Sequence, residues 1–342
     1  MPFVQPSRSD VHVNRPLTQV SLAFMQESTN FVADEVFPVV PTSKQSDAYF
    51  TYERGEFNRD EAVERAPATE SAGGTYEIGN DTYFSRVYAF HRDVPDQVRA
   101  NQDDPIDLDR EASRFVSQKA LLRKEVNWVT NYFTAGNPGD TWTFDVDGNA
   151  TASAAFDPTD NANNQKVFWD AANSTPIEDV RQGKRFVLEE TGYEPNTLTL
   201  GKAVYDTLLD HPDIVGRIDR GQTPNGPAIA TRMNLAALFE VERVLVMSAI
   251  QNTAAKGATA VHSFIGGKHA LLSYRPAAAG IMTPSAGYTF SWTGYLGATG
   301  VGTRISRFRM DHLKADRVEI EMAFDHKVVA PDLGYFFGGI VQ

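Results

Sequence analysis

The chain has 342 residues, 42% hydrophobic and 22% charged. That is the balance of a folded soluble protein, with length for about two compact domains. It contains no cysteine, which excludes disulfides and thiolate metal sites and fits assembly in a reducing cytoplasm. No apolar run is long enough to span a bilayer. The net charge of −12 argues against a tight, sequence-independent grip on nucleic acid, which needs clustered cations to replace phosphate counterions.

Residues 1 to about 48 have little helical periodicity until Ser21; Ser21–Phe37 has room for one short helix. Phe37-Pro38-Val39-Val40-Pro41 then forces extended chain, because proline fixes its own φ and restricts its predecessor. The segment reads as an arm lying on a partner or on the body of the protein. From Tyr49 to Val94 the pattern changes to aromatic, β-prone runs, Tyr49–Tyr52 and Thr82–Phe90, separated by a charged stretch with a Gly73-Gly74 turn. This predicts a long β-hairpin. Two strands alone are marginal in water, so the hairpin needs support, expected from a neighbouring subunit.

Residues 104–133 carry the strongest helical signal. Pro105 suits a first turn, and positions 108, 112, 115, 119, 122, 126, 129 and 133 are apolar except Lys119. At 1.5 Å per residue this spine helix would be about 45 Å long. Further on, the expected elements are a strand at Thr141–Phe144, a polar loop over 145–165, and a helix Ile177–Thr191 capped by Ser174 or Thr175 and ended by Gly192. A strand Thr197–Leu200 and helices Lys202–Leu209 and Ile229–Phe239 follow. Strands are predicted at Val241–Met247, His269–Tyr274, Gly302–Met310, Val318–Phe324 and Lys327–Ala330, with a long loop over 276–302.

Catalytic and metal constellations do not emerge. Asp145-Val146-Asp147-Gly148-Asn149 approaches the start of a calcium loop, but its spacing fails at the fifth position and no acid stands at the twelfth, so a tight turn is expected. Gly266-Gly267-Lys268 lacks the rest of a phosphate loop, and no two histidines stand four apart. His262 and His269 are seven apart, and His211 before Pro212 is expected to favour a helix C-terminus as a partly positive imidazole. No catalytic, cofactor-binding or metal-binding residue is assigned, and no cofactor is expected.

Residues 195–218 are more specific. Pro195-Asn196-Thr197-Leu198-Thr199-Leu200-Gly201, with Val204-Tyr205, Leu208-Leu209, His211-Pro212 and Ile214, resembles the major capsid proteins of tailed double-stranded-DNA bacteriophages. Leu235–Val241, Arg243–Val246, Asn252-Thr253-Ala254 and Gly267–Pro276 continue the likeness. The ending is similar too, with Val318-Glu319-Ile320, Asp325–Val329 and Gly334–Phe337, so family order is kept across about 320 residues.

The resemblance implies the α+β Hong Kong-type phage capsid fold. Its parts would be an N-terminal arm (1–48), an extended β-hairpin loop (49–94), a peripheral domain with the spine helix (95–194), an α/β axial domain (195–312) and C-terminal strands returning to the peripheral domain (313–342). It implies hexamers and pentamers closing into an icosahedral virion shell around double-stranded DNA, without specific DNA binding or a membrane, assembled in the host cytoplasm. Implied partners are other copies of the chain, a portal protein, a scaffolding protein and a decoration protein. Some family members begin with a long helical scaffolding segment; here the arm starts near Met1, and a separate scaffolding protein is expected. Encapsulin-type nanocompartments share the fold and are the nearest alternative; an α/β enzyme is the more distant one.

On this reading the hairpin carries the inter-subunit contacts. Arg54, Glu56, Arg59, Glu61, Glu64 and Arg65 mix both signs, which fixes register against a neighbour while adding about 0–1 kcal/mol per exposed pair. Tyr49, Phe50, Tyr83 and Phe84 would supply the burial.

Overall fold

In a computed structural model, residues 25–102, 106–134, 141–220, 231–280, 282–297 and 302–342 are described. Most of the arm, the Asp103–Pro105 start expected for the spine helix, and Ile229 lie outside these residues.

The chain opens with α1 (Ala33–Val36), β1 (Val39–Thr42), β2 (Ser46–Tyr52), α2 (Arg54–Phe57), β3 (Ile78–Phe84), β4 (Arg86–Pro95) and α3 (Asp96–Ala100). Next come α4 (Leu108–Tyr132), β5 (Phe144–Asn149), β6 (Gln165–Val167), α5 (Pro176–Thr191), β7 (Thr197–Gly201), α6 (Lys202–Asp210) and α7 (Pro212–Arg220). The remainder is α8 (Arg232–Phe239), β8 (Arg243–Met247), β9 (Ile250–Asn252), β10 (His262–Phe264), β11 (Ala270–Ser273), β12 (Gly287–Trp292), α9 (Thr293–Leu296), β13 (Thr303–Met310), β14 (Ala315–Val328) and β15 (Gly334–Gly338).

Two sheets organise these elements. One is six-stranded, in the order β6-β5-β15-β11-β7-β8. The other centres on β14, which pairs antiparallel with β13, β4 and β12, while β1 from the arm joins parallel to β12.

Helix α4 connects the two cores. Asp107 caps it, accepting from the amides of Asp109 and Arg110, so it starts three to four residues later than Pro105 suggested. Its 25 residues span about 37 Å. Leu108, Ala112, Val116 and Ala120 pack on Val318, Ile320, Met322 and Phe324 of β14. Farther along, Trp128, Val129 and Phe133 enter the larger core with Phe37, Trp142, Leu198, Leu271 and Phe336. The inward row therefore runs in steps of four rather than through Phe115 and Lys119, both exposed. Small side chains at 112 and 120 let the helix lie close on the sheet, and the bulkier Phe115 is left at its edge against Phe90.

Several expectations need correction. The Thr82–Phe90 run is two strands broken at Ser85, which is fully buried; its amide donates to Gln45 O and its hydroxyl to Phe290 O. The stretch 276–302 is not one loop, because β12 runs through it almost wholly buried. The first strand after the spine helix is β5, at 144–149 rather than 141–144, so Asp145–Asn149 is extended chain and not a tight turn. His211 is buried rather than partly positive: burial lowers its pKa, and its Nδ1 accepts from the Asp213 amide at the start of α7 while Nε2 meets Ser174 Oγ at 3.0 Å. Helix α7 and strand β15 were not anticipated. Gly192 ends α5 in the left-handed region at φ 75°, as its position predicts.

Candidate assembly surface

Alternation along a strand decides what each side of the hairpin can do. Strands β2 and β3 pair with Tyr49 opposite Asp81, Asp47 opposite Tyr83 and Phe50 opposite Asn80. Tyr49, Asp81 and Tyr83 therefore share one face, and Phe50, Ile78 and Phe84 the other.

The first face is turned to the chain's own body. Tyr83 stacks on Phe290 at 4.4 Å between ring centroids, and Tyr49 does so at 5.6 Å. The Tyr49 hydroxyl donates to Asp81, which also pairs with Lys327 at 3.1 Å. Burial and the Asp81 carboxylate push the Tyr49 phenol well above its usual range. Burial pushes Asp81 up, but the bonds from Tyr49, the Thr82 amide and Lys327 outweigh it and leave its pKa lowered. The support expected from a neighbour is thus supplied at the hairpin base by β12 and β14 of the same chain, and Tyr49 and Tyr83 do not face outward.

The second face is bare. Phe50 is 73% exposed, with Ile78 and Phe84 both more than half exposed. Singly exposed apolar residues need no explanation, but a row on one face of a ribbon does.

At the hairpin tip, Tyr52, Phe57 and Tyr76 form a partly exposed aromatic trio with centroids 5.5–6.2 Å apart. Arg54 leaves the tip to pair with Asp332 at 2.6 Å and Glu190 at 2.5 Å. Thr143 donates to the other Asp332 oxygen. Arg59 pairs with Glu56 and Glu61 within the tip, at 3.5 and 3.3 Å. Glu64 and Arg65 are exposed. Of the ten residues singled out in the sequence, Phe50 and Phe84 share the outward face, Glu56, Arg59, Glu61, Glu64 and Arg65 share the tip, and Arg54, Tyr49 and Tyr83 bind the hairpin to its own body.

Further exposed apolar side chains stand on both faces of the β4–β14–β13 end of the sheet, Phe90 and Ile305 on one face, Val87 and Phe308 on the other, and Leu313 in the turn after β13. Val87, Phe90, Ile305, Phe308 and Leu313 are each at least 40% exposed. An ion-pair lattice ties this end together: Arg99 and Arg307 reach Asp109 and Asp316, and Arg309 reaches Asp96 and Asp316. The Arg307 and Arg309 bonds hold the Asp316 carboxyl down at about 2.

Among the described residues no three His, Asp or Glu side chains converge on a metal-sized site. No described helix is long and apolar enough to cross a membrane. His262 is exposed on β10, whereas His269 is held between Phe133, Phe336 and the Gly339 amide, with burial lowering its pKa to about 4.

No protein-family model matches the chain. It is 23% identical over 325 residues to the major capsid protein of Burkholderia phage BcepMu, covering 94% of each chain. It is 25% identical over 344 residues to the major capsid protein of Pseudomonas phage JBD67, covering 98% of this chain and 99% of that one. Among solved structures, a phage-related protein from Bordetella bronchiseptica RB50 superposes with a TM-score of 0.65 at 19% identity, over 93% of this chain and 94% of that one. The mature capsid of bacteriophage PhiM1 gives a TM-score of 0.56 at 13% identity, over 96% and 92%. The capsid of Myoviridae phage XM1 gives 0.51 at 12% identity, over 96% and 99%. The architecture is the α+β Hong Kong-type phage capsid fold.

Proposed function

We infer that this chain is a major capsid protein of a tailed phage, a structural protein whose copies associate into the shell of the virion. The carrying observation is the end-to-end correspondence with two proteins of that name, over 94% or more of each chain. The hairpin supports the same reading. A ribbon anchored at its base by Tyr49 and Tyr83, with Phe50, Ile78 and Phe84 facing outward, presents an apolar strip to a neighbouring copy. The charged tip then sets register.

The finer reading is that the subunits form pentamers and hexamers, close icosahedrally around double-stranded DNA in the host cytoplasm, and meet portal, scaffolding and decoration proteins. The chain performs no catalysis in this role. Its division would be arm (1–48), hairpin loop (49–94), peripheral domain (95–194), axial domain (195–312) and returning strands (313–342). The net charge of −12 suits a container whose lining leaves the duplex free to slide.

Negative-stain electron microscopy of the purified chain, with sedimentation at several salt concentrations, tests the reading. Rings of five and six subunits or closed polyhedral shells are the expected result. A uniform monomer or dimer under every condition would overturn it, and a shell packed with a protein cargo and no DNA would select the encapsulin alternative.

A further inference from the structure

Strand β5 places two carboxylates on one face, at Asp145 and Asp147, while Phe144 and Val146 point into the opposite core. Asp145 is 8% exposed and Asp147 half-buried. The connection from 150 to 164 returns alongside β5 on its β6 side: the Asp145 amide donates to Pro158 O at 3.0 Å and the Asp147 amide to Asn164 O at 3.1 Å. Asn164 is 1% exposed. Its side-chain amide reaches toward Asp147 and partly offsets the burial of that carboxyl. Yet neither its oxygen nor its nitrogen completes a hydrogen bond, and Asp145 Oδ1 is also unpartnered.

Countercharge is missing among the described residues. Asp145 feels burial first and then the negative charge of Asp147, with no cation to relieve it. Lys166 is close in sequence, but it aligns with Gly148 rather than Asp147 in the parallel pairing, so it points to the other side of the sheet. There it meets Asp179 at 3.1 Å. On the β15 side, Asp147 stands opposite Gly338, which carries no side chain on that face.

Buried carboxylates are ordinarily paired with a cation or bound to a metal. Two carboxylates and an unpartnered amide oxygen make an all-oxygen donor set. We propose that Asp145, Asp147 and Asn164 bind a hard divalent cation of the calcium class, which fastens the 150–164 connection to the edge of the six-stranded sheet. The acid pair belongs to the motif that fails as a linear calcium loop; the third ligand arrives from the next strand's approach instead of from the twelfth position. This inference stands independently of the capsid reading.

The test uses the full chain after chelator treatment, titrated calorimetrically with calcium chloride and separately with magnesium chloride. Thermal unfolding is followed in parallel. Calcium is expected to bind at one site per chain and to raise the unfolding midpoint by a few degrees, with magnesium weaker. Asp147→Asn is expected to abolish both the binding heat and the shift, while its midpoint in chelator equals or exceeds that of the unsubstituted chain, because the repulsion of Asp145 is gone. Absence of binding heat and of any shift with either ion would overturn the proposal, as would both surviving in Asp147→Asn. Tighter binding of magnesium than of calcium would overturn the assigned class. If Asp147→Asn does not fold, the titration of the unsubstituted chain decides.

Discussion

Lys124 and Glu125 are consecutive on the spine helix, both buried, and both grip the arm. Glu125 accepts from the amides of Val32 and Ala33 at 3.1 and 2.9 Å, and Lys124 pairs with Asp34 at 2.7 Å. Burial pushes the Glu125 carboxyl from 4.5 to about 7; the two amide bonds offset part of this, and the charges of Asp34 and Glu35 add to it. A carboxyl raised in the folded state contributes stability that is fully present below pH 4.5 and is lost as pH rises through about 7. Denaturant melts at about pH 5 and about pH 8 are therefore expected to show Glu125→Gln losing a pH dependence on the order of 2 kcal/mol. Gly287 makes a steric prediction. A Cβ there would come within 2.5 Å of the Phe37 ring, which is fully buried against Trp128, Tyr132 and Trp142 and has nowhere to move. Gly287→Ala should cost about 1–3 kcal/mol of stability by chemical denaturation.

The hairpin shows how an element divides its labour between its two faces. Tyr83→Ala removes the stack on Phe290 and should cost about 2–4 kcal/mol, with faster hydrogen exchange across 46–84 as the readout. Phe50→Ser on the opposite face should leave the melting midpoint unchanged and reduce the yield of assembled particles. Charge reversal at Arg59 or Arg65 should likewise impair assembly of a chain that remains folded; normal particles from those variants would refute the role given to the tip. That the tyrosine face is covered and the phenylalanine face bare was not legible in the sequence, because alternation defines two faces without saying which one is covered. Ser85 was invisible for a related reason. The aromatic alternation continues on both sides of it, and only bonds to Gln45 and Phe290, distant in sequence, mark the break. The spine helix was legible because its period repeats over seven turns, although its inward row shifted once packing on β14 selected alanines over Phe115. Strand β12 was hidden by glycine, serine and proline around it, and it is held by β1 and β14 rather than by its own propensity.

At the scale of the molecule, the net charge of −12 makes copies repel one another, whereas on the proposed assembly reading the outward strip and tip would attract only at contact. Raising salt from about 0.01 to about 0.1 M shortens the screening length from about 30 to about 10 Å, which removes the long-range repulsion first. Assembly followed by light scattering should therefore accelerate over that range. A slowing would mean that ion pairs at the tip outweigh the apolar strip.

If the chain builds a shell as proposed, strand β14 has a consequence for its geometry. Its 14 residues extend about 45 Å without a bulge. Along that length the strand is bonded to β4 and β13 near one end and to β12 near the other, with α4 clamped across it. Such a girder resists bending. In the proposed shell, subunits at points of different curvature would keep this frame as a rigid tile, and the angular mismatch would fall on the contacts between tiles rather than within them.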